Sequence, residues 1–193
     1  MNAEKSVGRH ILLMLWLVRA WLCLAPLLIY SPNLLAKDSA TIFGLYAYND
    51  AVPTAEQVLG HSLGTHINWT ADARRYFEAL QDFAPQNVRI VDYGSSWEGR
   101  TLFYVVLASE KNIARLADIK NNMQQLADPR QLSESQAQKL IESTPAVTWL
   151  SYSVHGNEIS STEAAMATAY HLLASTDDPV AKAAMEETVT VLV

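Results

Sequence analysis

The order of apolar patterns along this chain predicts an α/β fold, a mixed sheet with flanking helices. Three observations carry the prediction. Runs of strand length rich in β-branched or aromatic residues occur at residues 88–93, 101–108 and 188–193; apolar residues recur every three or four positions between them; and Gly, Ser or Pro mark the junctions. With 193 residues, 50% of them hydrophobic, the chain is long enough for one domain with a real core.

Residues 1–36 read as an address. Lys5 and Arg9 precede an apolar run at 11–18, Arg19 interrupts, and a second run at 20–30 leads to Ser31-Pro32-Asn33-Leu34-Leu35-Ala36. That order matches a secretory signal peptide cleaved after Ala36, with an uncleaved anchor as the alternative reading. A spanning helix needs about 20 apolar residues in succession, and Arg19 divides the run, so no stable membrane span is expected after cleavage. We hypothesise that translation starts at Met14, because Met14 to Arg19 then forms the basic region ahead of a clean apolar run; a precursor whose N-terminal sequence begins at Met1 would refute this. Ala20 stands three positions before Cys23, where a lipoprotein cleavage box has leucine. The expected location is outside the cytoplasm, periplasmic or extracellular.

Residues 37–69 hold Gly44, Pro53, Gly60 and Gly64 with no sustained period and read as an irregular lead-in packed onto a domain. Asn68-Trp69-Thr70 fits a glycosylation triplet, a match short enough to arise by chance. From Thr70, a candidate cap, Ala73, Tyr76, Phe77 and Leu80 recur at helical spacing until Pro85. Strands at 88–93 and 101–108, separated by a Gly- and Ser-containing turn, form a hairpin. Residues 113–126 place Ile113, Leu116, Ile119, Met123 and Leu126 on one helical stripe, and Ser133 with Gln136 makes a capping box for a short helix to Glu142. Residues 146–154 read as a buried strand running into His155-Gly156-Asn157-Glu158. Ser160 with Glu163 then makes a second capping box, opening a helix to about Leu173. The final strand, 188–193, has no turn, cap or polar tail after it, so the domain is expected to be incomplete at its C-terminus, with 188–193 as an exposed edge.

Charge and cysteine usage narrow the chemistry. Residues 1–36 carry a net +2 and the remainder −8, which argues against nucleic acid as a partner. Cys23 is the single cysteine, so residues 37–193 can form neither a disulfide nor a thiolate metal site, and any metal must be held by His, Asp or Glu.

His155 and Glu158 are the candidates. Residues three apart on a helical turn have Cβ atoms about 5–6 Å apart, and imidazole nitrogen and carboxylate oxygen are both good zinc ligands. The pair follows the C-terminal end of a strand, where open α/β sheets collect functional groups. Gly156 permits close backbone approach, and Asn157 can hydrogen-bond a substrate or support the loop. On spacing alone, an ordinary helix start would explain the pair as well.

Two motifs in register shift the balance. The segment Tyr93-Gly94-Ser95-Ser96-Trp97-Glu98-Gly99-Arg100 precedes a strand, and His155-Gly156-Asn157-Glu158 follows another. In order and context they resemble the M14 metallocarboxypeptidase family over about residues 53–193. The stretches 111–144 and 53–64 are similar to a large exported bacterial subfamily. The resemblance implies a zinc carboxypeptidase-like (phosphorylase/hydrolase-like) fold, with residues 70–193 forming the N-terminal part of the catalytic domain. It implies one Zn²⁺ with His155 and Glu158 as two of its ligands, and hydrolysis of a peptide bond near the C-terminus of a peptide or protein substrate. The third ligand, a histidine, the general base, a glutamate, and substrate-binding Asn and Arg side chains lie beyond residue 193 in the family. No catalytic group is therefore carried over to this chain, which by itself should bind zinc weakly and catalyse little.

The other polar candidates have plainer readings. His61 and His66 suit neither helix nor strand register for a shared ion and read as surface or satisfied histidines. His171 suits a packed position or the helix C-terminal dipole, Glu98 and Arg100 a salt bridge at a turn, and Glu163 a cap. No Gly-x-Ser-x-Gly elbow surrounds Ser95, Ser96, Ser160 or Ser161, which disfavours serine hydrolysis. Two alternatives stay open. One is an aspartoacylase or succinylglutamate desuccinylase type deacylase, which shares the fold and the His-Gly-Asn-Glu string; the other is a non-catalytic, truncated module.

Overall fold

The computed structural model describes residues 46–193. The readings of residues 1–36, including Met14 and Cys23, lie outside the described residues.

The first element, α1 (Ala55–Leu59), falls within the stretch expected to be irregular. Thr54 accepts from the Gln57 N–H and Gln57 answers the Thr54 N–H, while Gly60 ends the helix in the left-handed region at φ 84°. Helix α2 (Thr70–Phe83) follows. Trp69, not Thr70, is its cap residue, with the Trp69 N–H donating to Asp72. Tyr76, Phe77 and Leu80 are buried, as their spacing requires.

Strands β1 (Val88–Ser95) and β2 (Thr101–Leu107) pair as an antiparallel hairpin, with Tyr93 the extra residue of a bulge between Asp92 and Gly94. The turn is closed by Ser96 N–H to Arg100 O at 2.7 Å and by Gly99 at φ 77°, a conformation that glycine adopts without a Cβ penalty. Glu98 and Arg100 pair with each other on its exposed surface.

The stripe from Ile113 to Leu126 is two helices, α3 (Glu110–Ala114) and α4 (Leu116–Ala127). They break at Arg115, whose guanidinium donates to the buried Asn112 side chain and to the Ser143 carbonyl. A short 3₁₀ turn (Pro129–Gln131) leads to α5 (Glu134–Ser143), which opens with the expected Ser133–Gln136 box. Then come β3 (Ala146–Leu150), α6 (Ser160–Ala174), α7 (Pro179–Glu187) and β4 (Thr188–Leu192). Asp178 caps α7 and Pro179 occupies its first position, a start signal that the sequence reading passed over.

The sheet order is β1-β2-β4-β3, with β4 antiparallel to β2 and parallel to β3. Two expectations are thereby exchanged. The final strand, expected at an edge, is interior and buried, whereas β3, expected to be buried, is the edge strand of the four and is largely exposed, with Trp149 58% accessible. The crossover through α6 and α7 returns β4 between β2 and β3, so strand order decides burial here. Side-chain alternation then divides two cores. Val105, Leu107 and Leu192 meet α2 and α6 on one face; Val106, Val189 and Val191 meet Ile113 and Ile119 on the other. Val52 and Ala55, from before α2, belong to the first core.

Candidate metal centre

Strand β3 ends at Leu150, four residues earlier than the apolar run suggested, but its pairing with β4 continues. Val193 N–H donates to Leu150 O at 3.0 Å, and Tyr152 N–H to Val193 O at 2.9 Å. The Tyr152 hydroxyl then donates to Thr168 on α6 at 2.9 Å, fixing the strand exit against the helix. Ser153 turns the chain away at φ 55°, in the left-handed region that costs a non-glycine residue on the order of 1 kcal/mol.

Residues 155–158 form a turn and not the start of a helix. Glu158 N–H donates to His155 O at 3.0 Å, Ser161 N–H donates to Glu158 O at 3.1 Å, and α6 begins only at Ser160. This turn brings the two side chains together: His155 Nδ1 lies 3.0 Å from Glu158 Oε1. Both are open to solvent, with side-chain exposures of 74% and 47%. Two donors on one tetrahedral zinc at about 2.0–2.2 Å would sit roughly 3.3 Å apart. The pair fits such an ion with a small opening of the contact. Glu158 also lies just ahead of α6, where the helix dipole favours negative charge.

Beside the turn, Phe77, Tyr93, Phe103, Tyr152 and Val154 line part of a mostly apolar cavity of about 410 Å³. Among the described residues, no group of three or more His, Cys, Asp or Glu converges on a common point. The donor set present is therefore a pair.

The other candidates have different tasks. Glu163 is not the partner of Ser160 in a capping box: Ile159 is the cap residue of α6 and makes no side-chain cap bond. Instead Glu163 Oε2 accepts from the Gly64 N–H at 2.7 Å and Oε1 from Asn68 Nδ2 at 2.8 Å. The loop that carries these donors is 95 residues or more away in the chain, which is why local spacing misread the residue. Asn68 is only 5% exposed with its amide nitrogen engaged, so the Asn68-Trp69-Thr70 triplet is no acceptor site in the folded chain.

His61 and His66, separated in register, are neighbours in space, with ring centroids 4.6 Å apart. Each uses Nδ1 locally, His61 with the Ser62 carbonyl and His66 with the Thr65 hydroxyl. His171 is held between Tyr48 Oη at 2.9 Å on Nδ1 and Asp178 at 2.8 Å on Nε2. Burial by itself would raise the Asp178 pKa, but the Val180 backbone N–H and the His171 side chain outweigh it and hold the carboxyl below its ordinary value.

Comparison with known proteins identifies the family. The zinc carboxypeptidase family profile matches residues 73–193, more than half of the chain and all four strands with the His155–Glu158 turn. The chain belongs to this family, the M14 peptidases. Among solved structures, it is similar to carboxypeptidase A from Helicoverpa armigera, with 17% identity and a TM-score of 0.44 over 72% of this chain. The match covers 29% of that structure's chain, so this sequence spans less than a third of it. No curated protein sequence matches.

Proposed function

We propose that the protein is a zinc-dependent metallocarboxypeptidase, exported behind residues 1–36, in which His155 and Glu158 hold one Zn²⁺. One observation supports this best: within the segment that matches the family, His155 Nδ1 and Glu158 Oε1 converge to 3.0 Å on the turn that follows β3. When bound, the ion supplies polarisation of the scissile carbonyl and activation of a water for attack on it.

The chain's own residues do the holding. The Tyr152 and Ser153 backbone aims the turn off the end of the sheet, and the Glu158 carboxylate and His155 imidazole present two donors from a segment fastened at both ends. A third protein donor and a general base are needed in addition to this pair, so the 193-residue chain alone is expected to show little turnover. Residues 70–193 act in this reading as the N-terminal part of the catalytic domain, and the substrate is a peptide or protein cleaved near its C-terminus.

The test is zinc content after purification and dialysis. Glu158→Ala in the intact protein should lose both bound zinc and activity, and unchanged zinc in that variant refutes the ligand assignment. Turnover of N-acyl amino acids in place of peptides would move the substrate class to the deacylases.

A further inference from the structure

We propose that Glu163 is a positioning residue for the His155–Glu158 pair, acting through the loop at residues 60–69; the proposal rests on the zinc reading of that pair. Helix α6 carries the metal turn on its N-terminal end, and that end lacks the side-chain cap that ordinarily fixes a first turn. What holds it is tertiary. The Glu163 carboxylate, in this first turn, takes the Gly64 N–H on one oxygen and the Asn68 amide on the other, at 2.7 and 2.8 Å.

The loop at the other end is a firm anchor. Asn68 is 5% exposed, Leu63 packs against the first core, and Ser62 donates to Glu56 at 2.9 Å. Asn68 Oδ1 is buried without a hydrogen-bond partner. An unpaired buried acceptor is unfavourable, so the bond from its amide nitrogen to Glu163 is the contact that sets the side chain's orientation.

From the first turn of α6 the constraint passes along the backbone. Ser161 N–H holds Glu158 O, and Glu158 N–H holds His155 O. A cavity of about 320 Å³ between the loop and the start of α6, lined by His66, Ile67, Ile159 and Ser160 among others, leaves space for the start of α6 to shift once the carboxylate is removed.

The experiment is calorimetric titration of the full chain with zinc chloride, at a temperature where circular dichroism shows each variant folded. Glu163→Ala should weaken zinc association about tenfold, the range seen when groups that orient metal ligands are lost. Asn68→Ala should weaken it too, but less, since the Gly64 N–H still holds the carboxylate, and the double variant should be no worse than Glu163→Ala, which already removes both contacts. Glu163→Gln should stay close to wild type, since its amide oxygen still accepts from Gly64 and, with the Asn68 amide turned over, its amide nitrogen donates to the Asn68 oxygen.

Unchanged affinity in Glu163→Ala overturns the proposal, and so do additive losses. A loss in Glu163→Gln as large as in Glu163→Ala also overturns it, by placing the effect in the charge and not in the contact. If Glu163→Ala fails to fold, Asn68→Ala, which leaves α6 untouched, decides alone. Glu158→Ala run in parallel separates the two readings: if it retains zinc affinity, the metal pair itself is wrong, whatever Glu163 does.

Discussion

Two histidine–carboxylate pairs lie at opposite ends of α6, nearly equal in geometry and opposite in exposure. His155 and Glu158 are 3.0 Å apart and exposed by 74% and 47%, whereas His171 and Asp178 are 2.8 Å apart and exposed by 15% and 6%. His171 has both ring nitrogens engaged, by Tyr48 and Asp178, and Asp178 also caps α7. His155 meets its carboxylate on a turn open to solvent. Distance alone therefore does not tell a ligand pair from a structural one. What separates them is whether an ion can reach the donor atoms without displacing a buried network.

The comparison breaks first at metal affinity. Glu158→Ala should lower zinc association on the order of a hundredfold or more, beyond the range for loss of an orienting group, with little change in thermal stability. His171→Ala should leave zinc affinity unchanged. Titration calorimetry with a melting curve for each variant checks both halves.

Stability should run the other way. His171→Ala strands the Tyr48 hydroxyl and takes one partner from the Asp178 carboxylate, which keeps the Val180 N–H, and should destabilise the fold by about 2 kcal/mol in urea unfolding, while His155→Ala should fall within about 0.5 kcal/mol of wild type. Equal effects in the two variants would erase the distinction.

Tyr48→Phe is a finer probe, removing one hydrogen bond at a cost of about 1 kcal/mol. It also has a pH signature. Burial first, then the neighbouring Tyr170 and acidic residues, push the Tyr48 pKa up. The stability from that raised pKa is present in full below the ordinary tyrosine value near pH 10, and is lost as pH rises through the folded value. Tyr48→Phe should thus flatten the alkaline limb of a pH–stability curve.

The smallest expected effect is on the acid side. Asp178 is held below its ordinary pKa, so its contribution is present above about pH 4 and is lost as pH falls through the lower folded value. Asp178→Asn keeps an oxygen to accept from Val180 but carries no charge to titrate, and an acid titration followed by circular dichroism should be shallower for it.

Much of this fold was legible because it depends on neighbours in sequence. The Ala73–Leu80 spacing builds α2, the runs around Gly94 and Gly99 build the hairpin, and the Ser133–Gln136 box starts α5. The capping box at Thr54 with Gly60 after it, and the Asp178-Pro179 start of α7, were equally local signals and could have been read. The break at Arg115 could not, since it rests on a guanidinium reaching Ser143, 28 residues on.

The sequence by itself determined most of the strands and helices and set His155 and Glu158 three residues apart, within reach of each other, because these follow from spacings of two, three and four residues along one chain. Only the tertiary structure decided that β4 lies inside the sheet and β3 at its edge, that His171 is clasped by Tyr48, and that Glu163 answers Gly64 and Asn68. The physical reason is common to all three. Strand order, burial and buried hydrogen bonds are set by which distant segments pack together, and apolar patterns in the chain identify the faces that must be covered without naming what covers them.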